Sequence, residues 1–112
     1  MTINRRIRGA LEALSLPAVP NVDTKKRDRC FTFNYDLLPI GFADNRPSSY
    51  RALIQVHLFL PLKEDPLELK ERTILALAAA DFTWPEVVDA SDDESQHFVF
   101  ECEAWEEMKH DG

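Results

Sequence analysis

Residues 50–60 read YRALIQVHLFL, a run that ends at Pro61 and predicts one long β-strand. Successive side chains of a strand point to opposite faces of a sheet. One face of this strand is apolar or aromatic and consists of Tyr50, Ala52, Ile54, Val56, Leu58 and Leu60. The other face is mixed and carries Arg51, Leu53, Gln55, His57 and Phe59. We therefore expect the first face to cover a core, and the second to meet water or a partner.

Two amphipathic helices are predicted on either side of this strand. Thr2 is a plausible N-cap, and apolar residues recur at helical spacing up to Ser15, before Pro17 ends the helix; they are Ile3, Ile7, Ala10, Leu11 and Leu14. The second helix is predicted to begin with Asp65 at the N-cap, Pro66 at the first helical position and Glu68 three residues after the cap. Its predicted apolar face runs to about Ala80 and comprises Leu67, Ile74, Leu75, Leu77 and Ala78.

The remaining segments predict shorter strands and one long connection. Pro17–Pro20 reads as a short extended segment, and the aromatic-rich run 30–35 reads as a strand. Residues 82–90 and 97–105 flank a polar turn and predict a terminal hairpin, followed by a polar tail, 106–112, that is expected to fray. The chain is thus predicted to be a single α+β domain, 1–112, with an antiparallel or mixed sheet of four to five strands packed against two α-helices.

The connection from Asp36 to Ser49 is unusual because it is long and begins with apolar residues. A hairpin loop normally has two to five residues, most of them polar, whereas this segment contains Leu37, Leu38, Ile40 and Phe42. We expect such a loop either to fold over the core or to contact another subunit.

Composition sets the class of the protein. The 112 residues are 45% hydrophobic and 29% charged, as expected for one globular domain. Two cysteines, Cys30 and Cys102, are too few for a disulfide framework, and residues 1–9 form no apolar signal region, so a reducing cytoplasm is the expected setting. No segment approaches the roughly 18 apolar residues of a membrane span, so no membrane partner is expected.

Charge is distributed unevenly along the chain. The net charge is −7, of which residues 1–30 carry +4 and residues 31–112 carry −11. An acidic bulk argues against specific nucleic-acid binding, which needs a continuous basic surface. The asymmetry suits subunits that meet head to tail, although it also occurs without a function. The basic run Lys25, Lys26, Arg27 and Arg29 is either a solvated loop or a patch facing a DNA channel or an acidic neighbour.

No motif for catalysis, a cofactor or a metal is found. The histidines His57, His97 and His110 have no close ligand spacing and are interpreted as structural or solvated. Cys102 lies between two glutamates with the inward parity of its strand, which indicates an inert core thiol, and both thiols are expected to be reduced. Three scattered glycines provide no phosphate-binding loop. Enzymatic activity is therefore not expected.

The order of elements and several short segments resemble the tail terminator, or tail completion, proteins of long-tailed phages and prophages. The segments are CFTFNY (30–35), ADNRP (43–47), VHLFLP (56–61), FTWP (82–85) and QHFVFECE (96–103), and the resemblance covers roughly residues 17–105. It implies an α+β subunit that assembles with itself as a ring of six on the completed tail tube. The ring would stop addition of tail tube protein and present a surface to the head-tail connector protein.

The resemblance also implies which residues meet other subunits. Neighbouring subunits would contact the connection and the mixed face of the long strand, through Leu37, Leu38, Ile40, Phe42, Arg51, Leu53 and Phe59. The basic residues Lys25, Lys26, Arg27 and Arg29 would face the lumen or the next ring. Such a protein works in the host cytoplasm during assembly and then in the virion tail. A head-tail connector or minor tail protein, and a cytosolic protein-binding module unrelated to phages, are the alternative interpretations.

Overall fold

A five-stranded mixed sheet carries two α-helices on one of its faces, as the sequence predicts. The computed structural model describes residues 2–42 and 44–107. The helices are α1 (Ile3–Leu11), which continues as a 3-10 turn (Glu12–Leu14), and α2 (Leu67–Ala79). The strands are β1 (Ala18–Pro20), β2 (Cys30–Ile40), β3 (Ser49–Leu60), β4 (Glu86–Asp89) and β5 (Gln96–Glu107).

The long strand β3 lies at the centre of the sheet, whose order is β1-β2-β3-β5-β4. It pairs antiparallel with β2 from Cys30 opposite Phe59 to Ile40 opposite Ser49, and antiparallel with β5 along its other side. The terminal hairpin is present as the pair β4 and β5. The short strand β1 pairs parallel with β2, so the sheet is mixed.

The predicted alternation of β3 is confirmed, and it places the core on the helix side of the sheet. Its even-numbered residues 52–60 are all buried, and Phe31, Phe33 and Phe100 of the neighbouring strands are buried with them. The helix α1 closes this layer with Ile3, Ile7 and Leu11, which are buried as their spacing predicts. Burying a side chain of this size contributes roughly 1.5–3 kcal/mol, so this layer dominates the stability of the fold.

The beginnings of the helices follow the predicted capping chemistry, with one shift. The Thr2 hydroxyl accepts a hydrogen bond from the Arg5 backbone N–H at 3.3 Å, which confirms the predicted cap of α1. The second helix begins at Leu67, one residue later than predicted. The Asp65 carboxylate still accepts from the Leu67 backbone N–H at 3.1 Å and satisfies one unpaired donor of the first turn.

The predicted apolar face of α2 is partly wrong. Leu67 and Leu75 are exposed, and the buried residues are Leu69, Thr73 and Leu77 at a spacing of four. The polar Thr73 enters the core because its hydroxyl donates to the Leu69 carbonyl at 2.7 Å and so needs no water. The predicted face omits the polar Thr73 and also Leu69, so it is offset around the helix from the buried one.

The fourteen-residue loop predicted between Asp36 and Ser49 is also wrong. The first strand continues through Leu37, Leu38 and Ile40 and pairs with β3 throughout, so only residues 41–48 connect the two strands. Pro39 is tolerated within β2 because, among the described residues, the outer side of β2 is paired only at Phe31–Phe33, so Pro39 has no ladder hydrogen bond to lose on that side.

Two short segments that flank the predicted elements belong in part to strands. The segment 17–20, predicted as extended, contains the edge strand β1, and residues 106–107 of the predicted fraying tail belong to β5. The rest of that tail, 108–112, including His110, lies outside the described residues. Within the described ranges, no helix has the length and apolarity that a membrane crossing requires.

Candidate protein-docking surfaces

Three surfaces of the molecule present uncovered side chains, and each contains residues that the sequence singled out. The first is the arm, the end of the β2–β3 hairpin from Leu37 to Ala52. The second is the open face, the side of the sheet that carries no helix. The third is the basic loop, residues 21–29, which connects β1 to β2.

The arm exposes apolar side chains on both faces of β2 and at its turn. Leu37 and Leu38 lie on opposite faces of β2 and are 42% and 41% exposed, and Phe42 at the turn is 63% exposed. Ile40, opposite Ser49, is half-buried. The apolar residues predicted to form a contact loop are therefore on the surface, but most of them lie on a paired strand and not on a mobile loop.

The turn at the end of the arm depends on one glycine. Gly41 has a φ of +65°, and a β-carbon at this position would collide with the Ser48 side chain. The Ser48 backbone N–H donates to the carbonyls of Ile40 and Gly41, both at 3.0 Å, and so closes the turn. This geometry fixes Phe42 at the outer end of the hairpin.

The open face consists of the alternate residues of β2, β3, β4 and β5 that point away from the helices. The predicted contact residues Arg51, Leu53 and Phe59 all lie on it and are half-buried by their neighbours on the sheet. Val88 of β4 and Trp105 of β5 are 47% and 50% exposed on the same face. The mixed character predicted for this face is thus confirmed, whereas its contact with a partner remains a proposal.

A hydrogen-bonded chain of polar side chains crosses the open face. His57 Nδ1 lies 2.8 Å from His97 Nε2, His57 Nε2 lies 2.9 Å from Asn34 Oδ1, and Asn34 Nδ2 donates to Gln55 Oε1 at 3.3 Å. Phe59 stacks on His97 with ring centroids 4.3 Å apart. The contact between His57 and His97 could not be predicted from the sequence pattern, because it depends on the register that places His97 opposite Phe59.

The direction of this chain follows from the donor and acceptor capacity of each group. Because the Asn34 amide group donates to Gln55, its oxygen is free to accept from His57 Nε2–H. A neutral His57 then presents the lone pair of Nδ1, to which His97 Nε2–H donates. Burial lowers the pKa of His57 from its ordinary value, and a charge on His97 lowers it further. Burial also lowers the pKa of His97, against the opposing effects of Asp92 and Asp89.

A trough of about 520 Å³ lies on the open face beside this polar chain. Its acidic lining residues are Asp36, Glu86, Glu101 and Glu103, and it also contains Leu53, Gln55 and Trp84. Arg51 contributes one positive charge and binds Glu103 at 2.6 Å, and this carboxylate raises the pKa of the guanidinium. The trough therefore carries four acidic groups and one basic group.

The basic loop is less positive than its sequence indicates. The Asp23 carboxylate accepts from the backbone N–H groups of Lys25 and Arg27 and pairs with the Arg27 side chain at 3.5 Å, and the backbone bond from Arg27 is the main reason that its pKa is lowered. Arg29 binds Glu64 at 2.7 Å. Lys25 and Lys26 are exposed and form no ion pair within residues 2–42 and 44–107.

The two cysteines are buried, and neither is in a disulfide. Burial raises the pKa of Cys30 to about 11 and that of Cys102 to about 12, and in each case a nearby carboxylate adds to the effect. A thiol with such a pKa is almost entirely protonated at neutral pH. Among the residues that the structure describes, no group of three His, Cys, Asp or Glu side chains is arranged to hold a metal ion.

Comparisons with known proteins inform the fold alone. No family model matches the chain, and no curated protein matches it. Eleven chains of solved structures match it. One of them, which carries no functional name, is 12% identical with a TM-score of 0.60, and the alignment covers 100% of both chains. At this identity the likeness supports a shared α+β architecture over the whole length.

Proposed function

We propose that this protein is a phage tail terminator, a subunit that assembles into a ring, caps the tail tube and provides the surface for head joining. The observation that carries the proposal is the arm. The core closes on the helix side without Leu38 and Phe42, so these residues are not needed for the fold, yet the hairpin presents them at the surface. Apolar side chains displayed in this way are typical of a contact between proteins.

The open face supports the same proposal. It is a sheet face without a helix layer, and its half-buried side chains are held in place by hydrogen bonds and an ion pair. Side chains that are fixed before association lose little further conformational freedom when a partner binds. A pre-organised face together with a projecting arm gives one subunit two different surfaces, which is what head-to-tail assembly into a closed ring requires.

Capping a tube is a contact of shape and charge and needs no chemical step. A tube that grows by head-to-tail addition stops when the protein at its end offers no equivalent site on its far side. The proposal therefore assigns no catalytic residue and no cofactor. Its partners are further copies of this chain, the tail tube protein and the head-tail connector protein.

Deleting the gene from an inducible parent phage tests this function. We expect electron microscopy of the lysate to show tubes of excess and variable length, together with filled heads that carry no tails. Complementation with the wild-type gene should restore the normal length, whereas a Leu38→Ser/Phe42→Ser variant should restore it poorly. Tails of normal length that fail to join heads would contradict a terminator and assign the chain to the connector. Unchanged particles would exclude both roles.

A further inference from the structure

We propose that the basic loop of one copy binds in the acidic trough of the next copy, so that Lys25 and Lys26 meet Glu86 and Glu101. This inference rests on the proposed function, because it identifies the surface through which ring subunits recognise one another. The uncovered sheet face would be covered by a second copy of this chain, because the basic loop and the trough are complementary in charge and in position.

The trough has carboxylates that the monomer leaves without a cation. Glu103 is bound to Arg51, but Asp36, Glu86 and Glu101 form no ion pair with any described residue. Glu86 and Glu101 are moreover directly opposite each other in the β4–β5 ladder. Like charges at such a position destabilise a strand pair, so a cation brought by a partner would remove a repulsion as well as add an attraction.

The basic loop carries an excess of positive charge that matches the negative charge of the trough. It contains four basic and two acidic residues, a net charge of +2. Arg27 and Arg29 are bound to Asp23 and Glu64, so Lys25 and Lys26 are the two basic side chains of the loop that form no ion pair with any described residue. The bonds from Asp23 to the backbone fix the loop around them, so the two ammonium groups project from a defined position.

Trp84 adds a second feature suited to lysine. It lies in the connection between α2 and β4, lines the trough and is 68% exposed. An ammonium group over an indole ring is attracted by the negative face of the ring, and more strongly when water is excluded. A lysine that enters the trough would therefore meet carboxylates and an aromatic ring.

The positions of the two segments decide the type of assembly. The basic loop follows the edge strand β1, whereas the trough includes the opposite edge strand β4. A copy that places its loop in a neighbour's trough keeps its own trough free for a third copy. Such a contact is heterologous, and it closes into a ring when the rotation between neighbours permits. The uneven distribution of charge along the chain thus sets the head-to-tail orientation of neighbouring subunits.

Two charge-reversal variants and their mixture test the contact. Lys25→Glu/Lys26→Glu reverses the loop and Glu86→Lys/Glu101→Lys reverses the trough. Each variant alone should self-associate about tenfold to hundredfold more weakly than the wild type in sedimentation velocity. Mixing the two should restore association, because each loop then meets a trough of opposite charge. Arg5→Glu/Arg8→Glu and Glu71→Lys/Asp93→Lys are matched controls at exposed positions and should associate normally.

The outcomes separate this contact from the function on which it rests. Wild-type association by either reversed variant, no recovery on mixing, or a wild-type chain that is monomeric at all concentrations would each overturn the proposal. If circular dichroism shows that a reversed variant does not fold, the neutral variants Lys25→Gln/Lys26→Gln and Glu86→Gln/Glu101→Gln replace it, and both should weaken association. Tail length in the deletion phage is measured independently, so a terminator that assembles by another surface would still produce overlong tails when absent.

Discussion

The two faces of the same sheet differ in what completes them. On the helix side, alternate residues of β3 and β5 are covered by α1 and α2, and Phe100 and Val56 are fully buried. On the open face, the side chains between them range from buried, at Val99, to exposed, at Glu101 and Trp105, and His57 and His97 form a hydrogen-bonded pair among them. The helix side is a finished core, whereas the open face is ordered but uncovered.

This difference shows that the two faces of one strand, β3, can have separate roles. Because successive side chains alternate between the faces, the even-numbered and the odd-numbered residues of β3 can serve different purposes. The even positions specify the fold. The odd positions are free to specify contacts, provided that their polar groups pair with one another while no partner is present.

Substitutions on the two faces of the sheet should differ most in how far they lower the stability of the fold. Phe100→Ala should lower the free energy of unfolding by about 3–5 kcal/mol, because it leaves a cavity in the helix-covered core. Val88→Ala, on the open face, should change it by no more than about 0.5 kcal/mol. Urea denaturation followed by circular dichroism provides both values. Equal losses for the two variants would show that the open face is as much a core as the helix side.

A smaller effect on stability but a clear effect on association is expected at the arm. Leu38→Ser/Phe42→Ser removes exposed apolar surface, so the subunit should fold with nearly wild-type stability while self-association weakens about tenfold or more. Light scattering measures the association. Leu67→Ser/Leu75→Ser is the matched control, because it removes exposed apolar residues from α2. An unchanged oligomer after the arm substitutions would remove the arm from the interface.

The histidine pair of the open face should make the stability of the fold depend modestly on pH. The fold lowers the pKa of His57 and His97, so below the ordinary histidine pKa of about 6.5 the unfolded chain binds more protons than the folded one. Their contribution to the free energy of unfolding is complete above that pH and is lost as the pH falls toward the lower folded pKa values. Asp89 and Asp92, which act on His97, have lowered pKa values of their own and titrate in a more acidic range.

Replacing one histidine isolates this contribution. His57→Gln removes one titrating group, so its unfolding free energy should depend less steeply on pH between about pH 7 and pH 5 than that of the wild type. Denaturation curves across that range measure both slopes. Identical slopes would show that the histidine pair is not what makes stability depend on pH there.

The sequence alone is sufficient to predict those helices and strands whose pattern is encoded within a few neighbouring residues. The alternation in β3, the spacing of Ile3, Ile7 and Leu11, and the Thr2 cap each depend on residues within a few positions of one another, and all three are found as predicted. Periodicity also predicted the α+β class and the face of β3 that meets the core. These features follow from backbone geometry and burial, which a short window of sequence encodes.

Contacts between residues that are far apart in the sequence became visible only in the tertiary structure. His57 and His97 are forty positions apart, and they meet because of the β3–β5 register. Arg29 forms an ion pair with Glu64 across the fold, and β2 extends past Pro39, where its outer side is not paired with any other described strand. Strand register and edge position are set by packing of the whole sheet. For that reason the sequence predicted which face of β3 meets the core, whereas the charges available on the other face became visible only in the fold.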